Sequence, residues 1–215
     1  MLLPLLLSLS LAAGDDRAIS AAPRFASLQG GETLGVGTTE AAFAAGFSKV
    51  SATWAQGLSD AVDLGAVLDF DWVTTELLLG GLYRLLLSPK GDTSSFAARL
   101  RGGLYADFGA TWAASENRSD AGVQLAPGLA VSWRTARGVL SLAGDVPLTI
   151  TFERGGGWAV EVRGSAAFET PLWGDLLAGA RAGVGERWSG SGAPFANDSP
   201  RTTVELTALL TYRIL

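Results

Sequence analysis

Between residues 96 and 112 the chain alternates with a period of two. Phe96, Ala98, Leu100, Gly102, Leu104, Ala106, Phe108, Ala110 and Trp112 are apolar or small, whereas every charge of the stretch (Arg99, Arg101, Asp107) falls on the intervening positions. Successive side chains of a strand point to opposite faces, so this is a strand with one apolar and one charged face. A helix would scatter the arginines around its surface. Ordinary strands run about 5–6 residues, but a tilted strand crossing a bilayer needs about 9–11. The length therefore points towards the second kind.

The same alternation recurs on both sides of this stretch. Residues 32–38 alternate weakly through Leu34 and Val36 and are read as the first strand. Residues 39–48, alanine-rich with Phe43 and Phe47, fit a strand extension, a loop or a short helix. Clear dyads follow over 49–58, 62–70 and 75–87, the last with a helix as alternative because its second face is only weakly polar. Further strands are read from Val123 to Trp133, Leu140 to Phe152, Trp158 to Phe168, Leu176 to Trp188 and Val204 to Ile214. Pro127 lies within one of them and predicts a bulge, since proline cannot donate to a ladder. The connections fall into two alternating sets, and the set containing 38–48, 71–74, 115–120, 154–157 and 190–200 is longer on average.

About ten strands with one repeated dyad suit a closed antiparallel up-and-down transmembrane β-barrel; eight or twelve strands also fit. A soluble barrel turns its apolar face inward, whereas a membrane barrel turns it towards lipid and keeps polar groups within. Strand length and charge segregation favour lipid. So does the placement of Trp72, Trp112, Trp133, Trp158, Trp173 and Trp188 near strand ends, where an interfacial aromatic girdle would lie. An open edge in hydrocarbon would leave backbone groups unpaired at several kcal/mol each, so closure is expected.

Composition narrows the function. The chain has 215 residues, formal net charge -5 and 28 glycines, and it lacks both cysteine and histidine. A mildly acidic chain without basic runs argues against nucleic-acid binding. Without cysteine there are no disulfides or thiolate metal sites, and without histidine the commonest general base and metal ligand are missing. Residues 1–14 read as a secretory signal peptide ending in Ala12-Ala13-Gly14, although no Lys or Arg precedes the apolar run. Residues 15–31 read as a flexible lead-in, and 32–215 as the barrel domain.

The stretch Gly57-Leu58-Ser59-Asp60-Ala61-Val62-Asp63-Leu64-Gly65 resembles a hairpin turn that recurs in small porin-like outer-membrane β-barrel proteins of Gram-negative bacteria. The final strand is similar to the signal read by their assembly machinery, but ends Tyr212-Arg213-Ile214-Leu215 rather than in phenylalanine. The resemblance implies an outer-membrane location, lipid and the barrel-assembly machinery as partners, and no cofactor. Oligomeric state is left open.

The inward positions carry Arg84, Arg99, Arg101, Arg134, Arg163, Arg181 and Arg213 against Asp107, Asp145, Glu161, Glu169 and Glu205. Lys49, Arg187, Asp63, Asp69, Glu76 and Glu153 are expected beside them. In a narrow lumen such groups should pair, with arginine favoured for two-pronged contacts to carboxylates. The expectation is a non-catalytic barrel, structural or narrowly porin-like, whose lumen is filled by salt bridges. A passive pore for ions or small solutes and a soluble periplasmic lipocalin-like binding barrel are the alternatives. Carboxylate pairs that share a face, Glu161 with Glu169 and Asp63 with Asp69, lie about 20–27 Å apart at ~3.3 Å rise per residue, far beyond the ~5–9.5 Å of glycosidase pairs.

Overall fold

A computed structural model describes residues 27–88, 93–109, 119–152, 157–190 and 200–214. The expected signal peptide, Trp112, Glu153 and most of the connection at 190–200 lie outside these residues. Every regular element among them is a β-strand. In chain order these are β1 (Thr39–Gly46), β2 (Lys49–Gly57), β3 (Val62–Asp71), β4 (Glu76–Leu86), β5 (Ser94–Asp107) and β6 (Asp120–Thr135). They continue as β7 (Gly138–Asp145), β8 (Leu148–Thr151), β9 (Gly157–Trp173), β10 (Leu176–Ser189) and β11 (Arg201–Ile214).

All neighbours pair antiparallel, and β1 pairs with both β2 and β11, which closes the sheet. β7 and β8 both lie between β6 and β9, so the eleven strands form a ring of ten positions with up-and-down connectivity. The pairings on either side of the β7–β8 gap, Gly128 with Asp145 and Leu125 with Leu148, keep one register. The expected bulge at Pro127 is therefore absent, and the chemistry explains why. Pro127 accepts a bond from the Val146 amide (2.9 Å) and Pro147 accepts one from the Glu161 amide (2.9 Å), but neither proline can return it. The two missing donors fall at one level, so the ladder is interrupted without being displaced.

Two further expectations change. The first strand begins at Thr39, within the stretch of uncertain type, and the β1–β2 connection shrinks to Phe47 and Ser48. Residues 32–38 are not a strand, and residues 27–31 do not trail free of the barrel. The segment from Ser27 to Leu34 lies inside: Ser27, Leu28, Glu32, Thr33 and Leu34 are all buried.

The two faces of the wall are sharply different. Leucine, phenylalanine, valine and tryptophan project outward and are exposed, as with Leu104 (66%), Val184 (58%) and Leu206 (64%). Arg84, Asp63 and Glu40 point inward at 0% exposure. Side-chain alternation fixes this arrangement, because a one-residue slip of any strand would exchange the two faces.

Candidate functional site

The interior is the only concentration of polar chemistry in the described wall, and it is built in three levels. At the end carrying the short turns, Asp63 on β3 and Arg84 on β4 are register partners and meet at 2.7 Å, both fully buried. Arg84 Nε and Nη2 have no hydrogen-bond acceptor, so the contact is an ion pair rather than an aligned hydrogen bond. Beside it, Arg213 pairs with Glu40 at 2.9 Å across the β1–β11 closure. Glu169 accepts a bond from Thr211 Oγ1 at 2.7 Å.

The inner segment from Ser27 to Leu34 is threaded through this level and tied to it. Arg84 donates to the Ser27 carbonyl (2.9 Å), and the Ser27 hydroxyl donates to Glu169. Glu32 receives a two-pronged contact from Arg134, Nε to Oε1 at 2.5 Å and Nη2 to Oε2 at 3.0 Å. The Leu34 amide donates to Asp63 Oδ1 at 3.0 Å, and Thr33 Oγ1 donates to the Asp60 carbonyl at 2.7 Å. Leu28 and Leu34 pack on inward-facing Ala42, Ala55, Val67 and Leu82. This accounts for Leu82 on the weakly polar second face of β4, whereas Leu78 lines the open space at the other end.

The turn of this segment, Gly30-Gly31, has no room for a side chain. A Cβ on Gly31 would lie 2.5 Å from the Ala130 carbonyl oxygen and 2.6 Å from that of Ser95, both backbone atoms. One on Gly57 would lie 1.8 Å from the Gly35 carbonyl oxygen. Gly57, Asp60 and Asp63 of the hairpin singled out in the sequence thus receive the inner segment.

At mid-height, Arg99 on β5 pairs through Nε (2.7 Å) and Nη2 with Asp145 at the end of β7. Arg181 on β10 pairs with Glu205 on β11. The tip of the inner segment joins both: Gln29 accepts from Arg181 through its side chain (2.7 Å) and from Arg99 through its carbonyl (3.3 Å).

The third level faces the longer connections. Asp69 on β3 is shared by Arg101 (2.6 Å) and Lys49 (3.3 Å). Glu76 on β4 pairs with Arg187 on β10 at 2.6 Å and accepts a bond from the Tyr105 hydroxyl at 2.7 Å. Glu161 accepts from Thr203 Oγ1 at 2.7 Å. Asp107, 2% exposed, caps the amide of Gly109 at 2.7 Å, and Asp120 is its register partner on β6. Arg163 lines the space between the middle and this level.

Free space follows the same gradient. A vestibule of about 120 Å³ opens at the third level, and about 30 Å³ remains beside the tip of the inner segment. Among the described residues no group of three carboxylates is placed to hold a metal ion.

On the outside, Trp72, Trp158 and Trp188 lie at the end with the longer connections, and Trp133 and Trp173 at the opposite end. Trp54 sits in the middle of β2, also outward. Sequence reasoning placed the charged wall positions but missed the inner segment. Val67, Leu82, Ala42 and Ala55, apolar residues on an otherwise polar face, were the signal that something apolar packs within.

No protein-family model matches the sequence, and no curated protein matches it either.

Proposed function

We propose that this protein is a non-catalytic outer-membrane β-barrel whose lumen is closed by its own inner segment and an ion-pair lattice. One observation carries the reading: charged side chains are gathered inside, and large apolar side chains cover the outside. In water such an arrangement exposes apolar area at about 25 cal/mol per Å². In a bilayer it is the arrangement that satisfies both faces. The strands support it in length, with 14 residues in β5 and 17 in β9. Tryptophan at both ends fits two interfacial girdles.

A soluble lipocalin-like barrel is less well supported, because its ligand cavity would need the apolar set inside. A passive pore is favoured only by the vestibule, which narrows at Gln29. The test is folding in detergent or lipid vesicles, followed by planar-bilayer recording. The expected result is heat-modifiable gel migration, β-rich circular dichroism and little conductance. Purification as a folded monomer without detergent would overturn the membrane reading, and a large steady conductance would overturn the closed lumen.

A further inference from the structure

We infer that the inner segment is a retractable gate, latched by the Glu32–Arg134 contact, which leaves the lumen through the end with the short turns while the wall stays folded. The inference rests on the reading of a lumen closed by this segment. Conductance tests that reading, whereas the experiment below reads labelling and folding, so either can fail without the other.

The segment enters and leaves at one end. Ser27 and Leu34 both lie at the level of the Asp63–Arg84 pair, Ser27 through the Arg84 bond to its carbonyl and Leu34 through its amide on Asp63. Between them the chain reaches no further than Gln29 at mid-height. There it turns back, with the Gly30 amide on the Ser27 carbonyl at 3.1 Å. A loop inserted in this way withdraws as a unit, with nothing to unthread. A hinge lies where it joins β1. Gly35 (φ 88) and Gly37 (φ 77) both take the left-handed conformation, and Val36 between them is 70% exposed. A few such residues at the end of an element are what absorb the dihedral changes of a hinge.

The segment is attached without ladder bonds. Residues 27–34 belong to no strand, and among the described residues none of their backbone groups bonds to a backbone group of the barrel strands. The wall groups that hold the segment keep partners of their own. Arg84 retains Asp63, Glu169 retains Thr211, Arg99 retains Asp145, Arg181 retains Glu205, and Ser132 retains Ser141 at 3.1 Å. Withdrawal therefore breaks no buried ion pair within the wall, and broken buried pairs are what make such a lattice hard to open. Arg134 is the exception. Among the described residues its ion pair is with Glu32. It stands one residue from the short-turn end of β6, where water can take the place of the carboxylate.

The test uses the full chain folded in detergent with Ser27→Cys, a nearly isosteric change at a residue 1% exposed. The chain has no other cysteine. The probe is a maleimide carrying a polyethylene glycol chain too large to enter the lumen. The expected result is a complete gel shift under native conditions, with the tagged protein still heat-modifiable in its migration. Tagging that appears only as heat-modifiable migration is lost, or tagged protein that no longer migrates as folded, would overturn the inference. Hydrogen exchange of the wild type gives a readout that does not depend on the variant folding. The Gly31 amide, held by Ser132 Oγ at 2.9 Å, and the Leu34 amide, held by Asp63, should exchange ahead of the ladder amides of β5 and β6. Exchange of both sets together would refute the gate, because the segment would then leave only when the whole barrel unfolds.

Discussion

Arg187 and Glu76 meet at 2.6 Å although β10 and β4 stand five positions apart whichever way the ten-position ring is counted. The contact therefore spans the lumen rather than running along the wall. The Tyr105 hydroxyl holds the same oxygen of Glu76 at 2.7 Å, which fixes the acceptor. With the inner segment at the other end, the lumen carries two obstructions in series. Removing one should not open a path. Arg187→Gln is expected to leave bilayer conductance at the wild-type level, because Gln29 and its partners still fill the middle. A rise in conductance from this substitution alone would show that the inner segment is not a barrier.

The contact between Glu32 and Arg134 is the clearest anchor of the inner segment, joining residues 102 apart in sequence. A charge-assisted contact of this kind contributes about 1.5–3 kcal/mol. Since ~1.4 kcal/mol is tenfold in an equilibrium, Glu32→Ala should shift the docked-to-undocked ratio by about 10- to 100-fold. The measurement is labelling of a cysteine placed at Leu28 by a water-soluble reagent, faster in the Glu32→Ala background. Equal rates would mean that the remaining contacts, those of Leu34 and the Arg84 bond to the Ser27 carbonyl among them, hold the segment without Glu32.

Glycine supplies a sharper contrast. At Gly31 the atoms a Cβ would meet are wall carbonyls at 2.5 and 2.6 Å, which cannot move without breaking the ladder. At Gly37 (φ +77) a Cβ would meet nothing within 4 Å, so alanine there brings only the backbone strain of a left-handed residue, about 1–2 kcal/mol. Gly31→Ala should expel the segment while the barrel still forms; Gly37→Ala should leave it docked. Limited proteolysis of the folded protein reads the difference, with cleavage near residue 31 confined to Gly31→Ala.

These glycines also mark how far the sequence could be read. Alternation exposed the wall because its period is local: Phe96, Leu100 and Leu104 declare one face and Arg99 and Arg101 the other within a single strand. The inner segment has no period. Its position is set by contacts to residues far along the chain, such as Arg134 and Glu169, and a linear pattern carries no trace of these. Leu34 and Val36 imitate a strand dyad just ahead of the true first strand; that one, from Thr39, is masked by small alanines on its inner face. Inward charges could be named, but their partners could not. Arg99 reaches Asp145, two positions round the ring, and Arg187 reaches across it.

The buried pair of Asp63 and Arg84 should be the most sensitive point of the wall. Both side chains are 0% exposed, and Asp63 also accepts from the Leu34 amide. Breaking a buried pair by removing one partner costs about 3–5 kcal/mol, whereas replacing both by apolar groups of similar volume is often near neutral. Arg84→Met alone should therefore lower the denaturant midpoint strongly, and the double variant Asp63→Leu with Arg84→Met should recover part of that loss. A double variant no better than the single one would assign the cost to the Ser27 and Leu34 contacts instead.

The outward face decides which solvent the barrel was built for. Leu104 lies on β5 at 66% exposure, between the two ends of the strand, and its register partners are Leu79 and Val123. Leu104→Arg adds a charge where nothing in the fold would clash with it. In water this is a surface substitution, usually within about 0.5 kcal/mol of neutral. At a bilayer midplane the same change costs about 2–4 kcal/mol, falling towards zero at the interfaces. Folding yield into vesicles should therefore drop for Leu104→Arg and change little for Trp173→Arg, at the end of β9 and 85% exposed. In detergent micelles, which adapt around a single charge, the penalty should shrink. Equal folding of the two variants in lipid would contradict the membrane assignment, because no depth dependence would remain to explain why the strands segregate their charges so completely.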